Sequence, residues 1–506
     1  MNLRRSLPLA LTAANIFACV CLSAQNAAPV APTAAELTLQ ECITRALAKN
    51  FDLEIQRYSP QIAKDAIDIA RSDYLPVVTA ATSTGASHND PIIGSVPDPI
   101  TGVFPVTPAS NGSTRSTSIG VTQQLYTGTS LSLSSQLGRS HIDPALSALN
   151  PAYNADVTLS VRQQLLRGFG RDVNIAGVNR ARLGFARANL DYKSQALTVI
   201  RATEGAYHDL VFNREQLEVK KFTLALAERF YEDAKNRKQF GVAIDLDVLT
   251  AEVGVANARR GVLLAQQSVG DSAQNLLALI GQFELDAPLG TVRFTEVELT
   301  FPVFASSYSL AKQNQPDYLS TQLAVEQAKL DLKVAKDNAR PSLSVGGAVG
   351  MNGRRGNAGA AFSDTFDRDN NSWQVDLSLT YPWGLVGDKA RYRQAQATLS
   401  QQQSRLRQLE QSIELQVRTA IRAIETDSES VKISAQARLL SDKQYEFQKA
   451  LFDSGKSTSY LVLQAQNDLE NARVAELQAK VNLRNAVSTL RQIEGSSLQR
   501  YGVTLP

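Results

Sequence analysis

Residues 248–269 read VLTAEVGVANARRGVLLAQQSV. Val248, Ala251, Val255, Ala258, Val262, Ala265 and Val269 fall at alternating intervals of three and four. That spacing keeps them on one helical stripe, and the alanines let helix axes approach closely. The stripe returns as Val462, Ala465, Leu469, Ala472, Glu476, Ala479, Leu483, Ala486 and Leu490, interrupted once by Glu476. Val248 to Val462, Ala251 to Ala465 and Gly241 to Gly455 share one offset in numbering, 214. An internal repeat is therefore predicted. Upstream the offset changes to 265: Ala48–Leu53 parallels Gln313–Tyr318, and Arg71–Pro76 parallels Lys336–Pro341. The first repeat is therefore longer by 51, between Pro76 and its long helix.

Residues 152–287 and 383–505 contain no proline and are rich in Ala, Leu, Gln, Glu, Lys and Arg. Those residues lose little freedom in a helix, so very long helices are predicted. Between these tracts the pattern changes to period two. Val375, Leu377, Leu379 and Tyr381 alternate with polar residues, as do Leu343 to Val349, Val157 to Val161, Leu131 and Leu133, and Ile119 and Val121. Val77–Gly85 is a weaker sixth strand candidate. Four strands thus fall in the first half and two in the second. Segments 88–115, 140–154 and 350–371 are rich in Gly, Pro, Asn, Asp and Ser and read as loops. Strict alternation gives one apolar and one polar face. The apolar face meets a second sheet in a sandwich, or lipid in an outer-membrane barrel. The extra stretch of the first repeat fits a hairpin that widens the sheet or projects from it.

The amino terminus favours the barrel. Arg4 and Arg5 precede an apolar run from Leu7 to Ala18, and Leu22-Ser23-Ala24 resembles a cleavage site. A signal peptide over residues 1–24 is predicted. Lipidation at Cys19 is the alternative, since Ile16-Phe17-Ala18-Cys19 loosely resembles a lipobox. Cleavage after Ala24 leaves Cys42 alone, predicted to be buried in a helix. No later stretch is apolar enough for a spanning helix.

Composition excludes several classes. In 506 residues, 52 basic side chains nearly cancel 49 acidic ones, giving net charge +3 and no footprint for nucleic acid. Three histidines and three cysteines argue against a zinc site or a disulfide scaffold. No nucleophile or acid–base constellation converges, so no enzyme, cofactor or metal is expected. Gly168-Phe169-Gly170 lacks the rest of a dinucleotide fingerprint and reads as a strand-to-helix transition. Asp364, Asp367 and Asp369 lack EF-hand spacing and read as a solvated loop. His208 reads as a surface or packing residue. Arg237 and Lys238 suit a helix C-terminus and need no further role.

Two copies of helix, strands, long helix, glycine turn and long helix resemble the TolC-like outer membrane efflux proteins. The resemblance runs from Leu37 to Gly495. It is carried by Leu37-Thr38-Leu39-Gln40-Glu41-Cys42, by Asn314-Gln315-Pro316-Asp317-Tyr318, and by the turn from Gly241 to Leu249. It implies an α+β membrane protein: a trimeric β-barrel in the outer membrane, continued by a long periplasmic α-helical barrel. The expected organisation is a first repeat at 25–296, a second at 297–496 and a tail at 497–506. The implied function is an exit duct for tripartite efflux or type I secretion, working with a periplasmic adaptor and an inner-membrane transporter. The resemblance also implies that the helix turns form the gate. Asp245 and Asp247 would then ring the entrance and favour cations; helix capping explains the same residues equally simply. Leu461 and Gln464 stand where relatives with an acidic ring carry aspartates, so the second turn contributes less charge. Phe240-Gly241-Val242 and Ser454-Gly455-Lys456 are the implied adaptor-docking triplets, and left-handed C-caps are the plainer reading of their glycines. A periplasmic coiled-coil adaptor, with one hairpin between compact β-domains, and a trimeric adhesin, without paired strands, are the competing classes.

Overall fold

The computed structural model describes residues 37–503, apart from 94–95, 98–99, 105, 145–147, 242–243, 285–288, 295–300 and 368–369. The expected signal peptide, Cys19, Val242 and Asp369 lie outside the described residues.

The chain opens with α1 (Leu39–Lys49) and α2 (Phe51–Ser72). Then come β1 (Val77–Asn89), the short pair β2 (Ile92–Ile93) and β3 (Val106–Thr107), and β4 (Ser110–Gln124), β5 (Thr129–Asp143) and β6 (Ala152–Gln164). One helical turn, α3 (Arg171–Asn174), leads into α4 (Ala176–Gln239), which α5 (Asp245–Leu279) follows back. The second repeat runs α6 (Phe304–Asn314), α7 (Pro316–Asn338), β7 (Ser342–Arg355), α8 (Ala358–Asp364), β8 (Asn371–Thr380), α9 (Val386–Asp453) and α10 (Ser459–Glu494). A last turn, α11 (Ser497–Arg500), closes the chain. The 64 and 68 residues of α4 and α9 make rods about 100 Å long at about 1.5 Å per residue.

The repeat holds at the level of contacts. Gly281 ends α5 at φ 71° and Gly495 ends α10 at φ 67°, the same offset of 214 apart. A Cβ on Gly281 would collide with the Lys49 carbonyl, and one on Gly495 would sit 2.8 Å from the Asn314 carbonyl oxygen. Lys49 and Asn314 in turn end α1 and α6, at the second offset, 265. Only glycine gives both the left-handed cap and this close approach. The apolar stripe packs as its spacing requires: Ala251, Val255, Val262, Ala265, Val462, Ala465, Leu469, Ala479 and Leu483 are buried. Glu476, which interrupts it, pairs with Arg438 and Lys480.

Six strands form one antiparallel sheet in the order β1-β4-β5-β6-β7-β8. One row across it reads Val78, Val121, Leu133, Leu159, Val349 and Trp373. The neighbouring row, on the other face, reads Thr79, Gly120, Ser134, Thr158, Gly350 and Ser372. Val78, Leu133, Leu159, Val349 and Trp373 are exposed. A sandwich would cover that row with a second sheet. The only other sheet among the described residues is β2–β3. An uncovered apolar sheet face of this breadth is stable against lipid, with the small polar face turned to water. No helix among the described residues is long and apolar enough to cross a membrane.

The strands run further than the alternation indicates. β4 begins at Ser110, β5 extends to Asp143 and β7 to Arg355, into segments that read as loops. Beyond the lipid band both faces are polar, so the period-two signal fades while the hydrogen-bond ladder continues. The segment 350–371 also holds α8, where Asp364 is buried, pairs with Arg355 and accepts from the Arg354 N–H at 3.2 Å. Asp364 is thus a structural tie rather than part of a solvated loop.

Residues 497–503 pack against the first repeat. Leu498 packs with Ile43, Leu53, Ala196, Leu197 and Ile200 of the first repeat. The Tyr501 and Ser488 hydroxyls donate to the buried Glu204 carboxylate. Burial pushes the Glu204 carboxyl above its ordinary range, against the pull of the Tyr501 hydrogen bond and Arg491. His208 is buried beside Asn485, and burial drives its pKa down to about 4. Cys42 is fully buried and its thiol is pushed up to about 12 by the same cause.

Candidate functional site

The two long hairpins turn at the same end of the molecule. Gly241 and Gly455 follow α4 and α9 with φ of 75° and 74°. Both ends leave orphan carbonyls, which the left-handed glycine helps to satisfy: Gly455 N–H donates to Phe452 O at 3.0 Å and Lys456 N–H to Leu451 O at 2.9 Å. A Cβ at either glycine would meet nothing within 4 Å, so backbone conformation alone selects glycine.

The next helices start differently. Thr458 caps α10, its hydroxyl accepting from Leu461 N–H at 3.4 Å. The matching residue of the first repeat is Ile244, which has no side-chain acceptor. Asp247 supplies what is missing, reaching back to accept from Ile244 N–H at 3.3 Å. Its other oxygen accepts from the Ser459 hydroxyl at 2.9 Å, which ties the first turn to the second. Leu461 occupies the position equivalent to Asp247, where the Thr458 cap makes a carboxylate unnecessary. Asp247 is therefore a cap and a cross-link. Asp245 differs: it pairs with Lys238, and its side chain remains 84% exposed. Leu461 and Gln464 are exposed on α10.

Arg237 has a larger role than neutralising its own helix end. It donates to the Phe452 carbonyl at 3.1 Å and to Asp453 Oδ1 at 2.8 Å, and its guanidinium lies 4.4 Å from the Phe452 ring centroid. It thereby caps the C-terminus of α9, on the other hairpin. Lys238 serves Asp245 across its own turn. Beneath these ties, Phe230, Ala234, Ala251, Tyr445, Val462, Ala465 and Leu469 form a shared core. Higher up, Lys220 pairs with Glu470 across the two hairpins. A carbonyl acceptor is the same on every residue, which is why the Arg237 latch is not visible in the sequence.

Phe240 is 82% exposed at the very tip, with Ile244, Leu246, Leu249 and Tyr460 also exposed nearby. Ser454, Gly455 and Lys456 are exposed beside them. Among the described residues the arrangement is an apolar knob rimmed by polar turns that capping and pairing hold in place.

Residues 307–496 match the outer membrane efflux protein family. Outer membrane protein TolC of Vibrio cholerae is 24% identical over 318 residues, covering 60% of this chain and 71% of that protein. The pyoverdine export outer membrane protein OpmQ of Pseudomonas aeruginosa is 22% identical over 326 residues, covering 61% of this chain and 65% of that protein. Among solved structures, the outer-membrane channel OprN superposes with a TM-score of 0.67 at 17% identity, over 91% of this chain and 90% of that one.

Proposed function

We propose that the chain is a TolC-like outer membrane efflux protein, acting as a passive, trimeric exit duct of the outer membrane. The observation that carries this is the six-stranded sheet, apolar and uncovered on one face, small and polar on the other, continuous with helices about 100 Å long. One protomer's sheet has two unpaired edges, which lipid does not tolerate; neighbouring protomers remove them. An adaptor would carry one helical hairpin, whereas this chain carries two.

Conduction is opposed at the turns. The Arg237 latch and the Asp247–Ser459 bond hold the two hairpins of a protomer together, and releasing them lets the tip dilate. Asp245, exposed and repeated by threefold symmetry, is the group that confers cation preference; Asp247 acts in capping. The exposed Phe240, with Gly241, Ser454, Gly455 and Lys456, suits docking of a periplasmic adaptor, which would couple the duct to an inner-membrane transporter. Efflux or type I secretion of cargo selected by that transporter fits this arrangement.

Antibiotic exclusion tests the reading. Wild-type protein in the outer membrane of a Gram-negative host should leave it resistant to large polar antibiotics. Arg237→Ala, delivered to the same membrane at the same level, should sensitise it. Equal resistance with both proteins folded in the outer membrane contradicts a gated duct.

A further inference from the structure

The second repeat gives the sheet two strands and the first gives it four. The two offsets identify the extra pair. Val77 opens β1 and Ser342 opens β7, at the offset of 265. Arg162 on β6 and Asp376 on β8 stand at the offset of 214. β1 and β6 thus correspond to β7 and β8, and the β4–β5 hairpin is inserted between them. Building on the trimeric-duct reading, we propose that this hairpin is two full staves of the barrel wall. Three protomers of six strands then close an eighteen-stranded barrel, where a symmetric pair of repeats would give twelve.

The inserted strands obey the wall's alternation. Val121 and Leu133 continue the lipid-facing row between Val78 and Leu159, and Gly120 and Ser134 continue the opposite row. A projecting hairpin would have no reason to keep that register. Its turn is also seated at the root of the wall. Gly128 stands at φ 85°, where a Cβ would collide with the Gly168 carbonyl. Gln164 N–H donates to Gly128 O at 3.2 Å, and Gly170 N–H to Thr127 O at 3.2 Å. Tyr126 lies against Tyr74, with ring centroids 4.5 Å apart, just before β1. The turn is therefore anchored to the bases of both flanking strands. Closure is also consistent: six is even, so β8 of one protomer meets β1 of the next antiparallel.

Barrel diameter grows roughly linearly with strand number, so the mouth is about 1.5-fold wider than a twelve-stranded one. The inward side chains of β4 and β5 are mostly Ser, Thr and Gly, which leave that width open. This outer section would pass cargo too broad for a twelve-stranded mouth.

Cysteine pairing in the full-length protein tests this. Ser83 faces Ser116 across β1–β4, with hydroxyls 2.8 Å apart. If the hairpin left the wall and β1 paired with β6 as β7 pairs with β8, Ser83 would instead face Ser160. With the expected cleavage after Ala24, Cys42 is the one native cysteine left, and it is fully buried and does not compete. On oxidation, Ser83→Cys/Ser116→Cys should form an intrachain disulfide and Ser83→Cys/Ser160→Cys should not. Cryo-electron microscopy of the wild-type protein in lipid nanodiscs should show eighteen strands. The reverse cross-linking pattern with twelve strands overturns the proposal and leaves the duct intact. Particles without a trimeric barrel overturn the duct reading itself.

Discussion

Replacing Arg237 by alanine removes one side chain and three interactions between the hairpins. The bond to Asp453 is charge-assisted, but Asp453 is 51% exposed, so solvent screens the pair to about 0.5 kcal/mol. The bond to the Phe452 carbonyl adds about 1 kcal/mol and the cation–π contact about 0.5 kcal/mol. The loss is about 2 kcal/mol per protomer, or about 30-fold in the equilibrium between latched and released tips. If three protomers release together, the effect approaches about 6 kcal/mol and about 10⁴-fold. Single-channel recording in planar bilayers measures it as open probability. Arg237→Ala should raise open probability steeply. Arg237→Lys, which keeps charge but loses the planar fork, should fall between. An open probability unchanged in Arg237→Ala trimers would refute the latch.

Other outcomes follow from the same geometry. Asp247→Ala should destabilise the first turn by about 1–2 kcal/mol, seen as faster local hydrogen exchange over α5, because it loses a cap and the Ser459 bond. Asp245→Ala should leave stability intact and lower cation preference in reversal-potential measurements. Gly128→Ala forces a side chain against the Gly168 carbonyl at a positive φ, and should lower the heat resistance of trimers on gels. His208 has a folded pKa of about 4 against 6.5 unfolded, so stability present above pH 6.5 is lost as pH falls through that window. The loss is about 3 kcal/mol, and His208→Gln should shift the acid unfolding midpoint lower. Glu204→Leu strands the Tyr501 and Ser488 hydroxyls and should cost about 2–4 kcal/mol in denaturant melts.

The helical architecture was legible because its signals are local. A three-four stripe of Val and Ala survives in two copies. The offset of 214 links the ends of α4 and α9 and the starts of α5 and α10, and the offset of 265 links the ends of α1 and α6. The alternation of Val375, Leu377 and Leu379 revealed strands, but not what their apolar face meets; that required seeing it uncovered. The position of the extra hairpin needed strand register, which is non-local. A clue was present: Arg162 and Asp376, at equivalent places in the two repeats, carry opposite charges and form an ion pair at 3.0 Å. The pair lies over Gly346, where a Cβ would collide with the carboxylate. At the turns, Asp245 and Asp247 looked alike in the sequence. They separate because Ile244 cannot cap its own helix and Asp247 must, while Asp245 is left facing solvent. The Arg237 latch, made partly to a backbone carbonyl, carries no sequence signature.

A passive duct must conduct across a membrane as a folded trimer. Ionic current through purified wild-type and Arg237→Ala trimers in planar bilayers tests it most directly. Both should give discrete steps, rare in wild type and frequent in the variant, with cation preference that Asp245→Ala weakens. Inserted, folded trimers that pass no current in either form would contradict it.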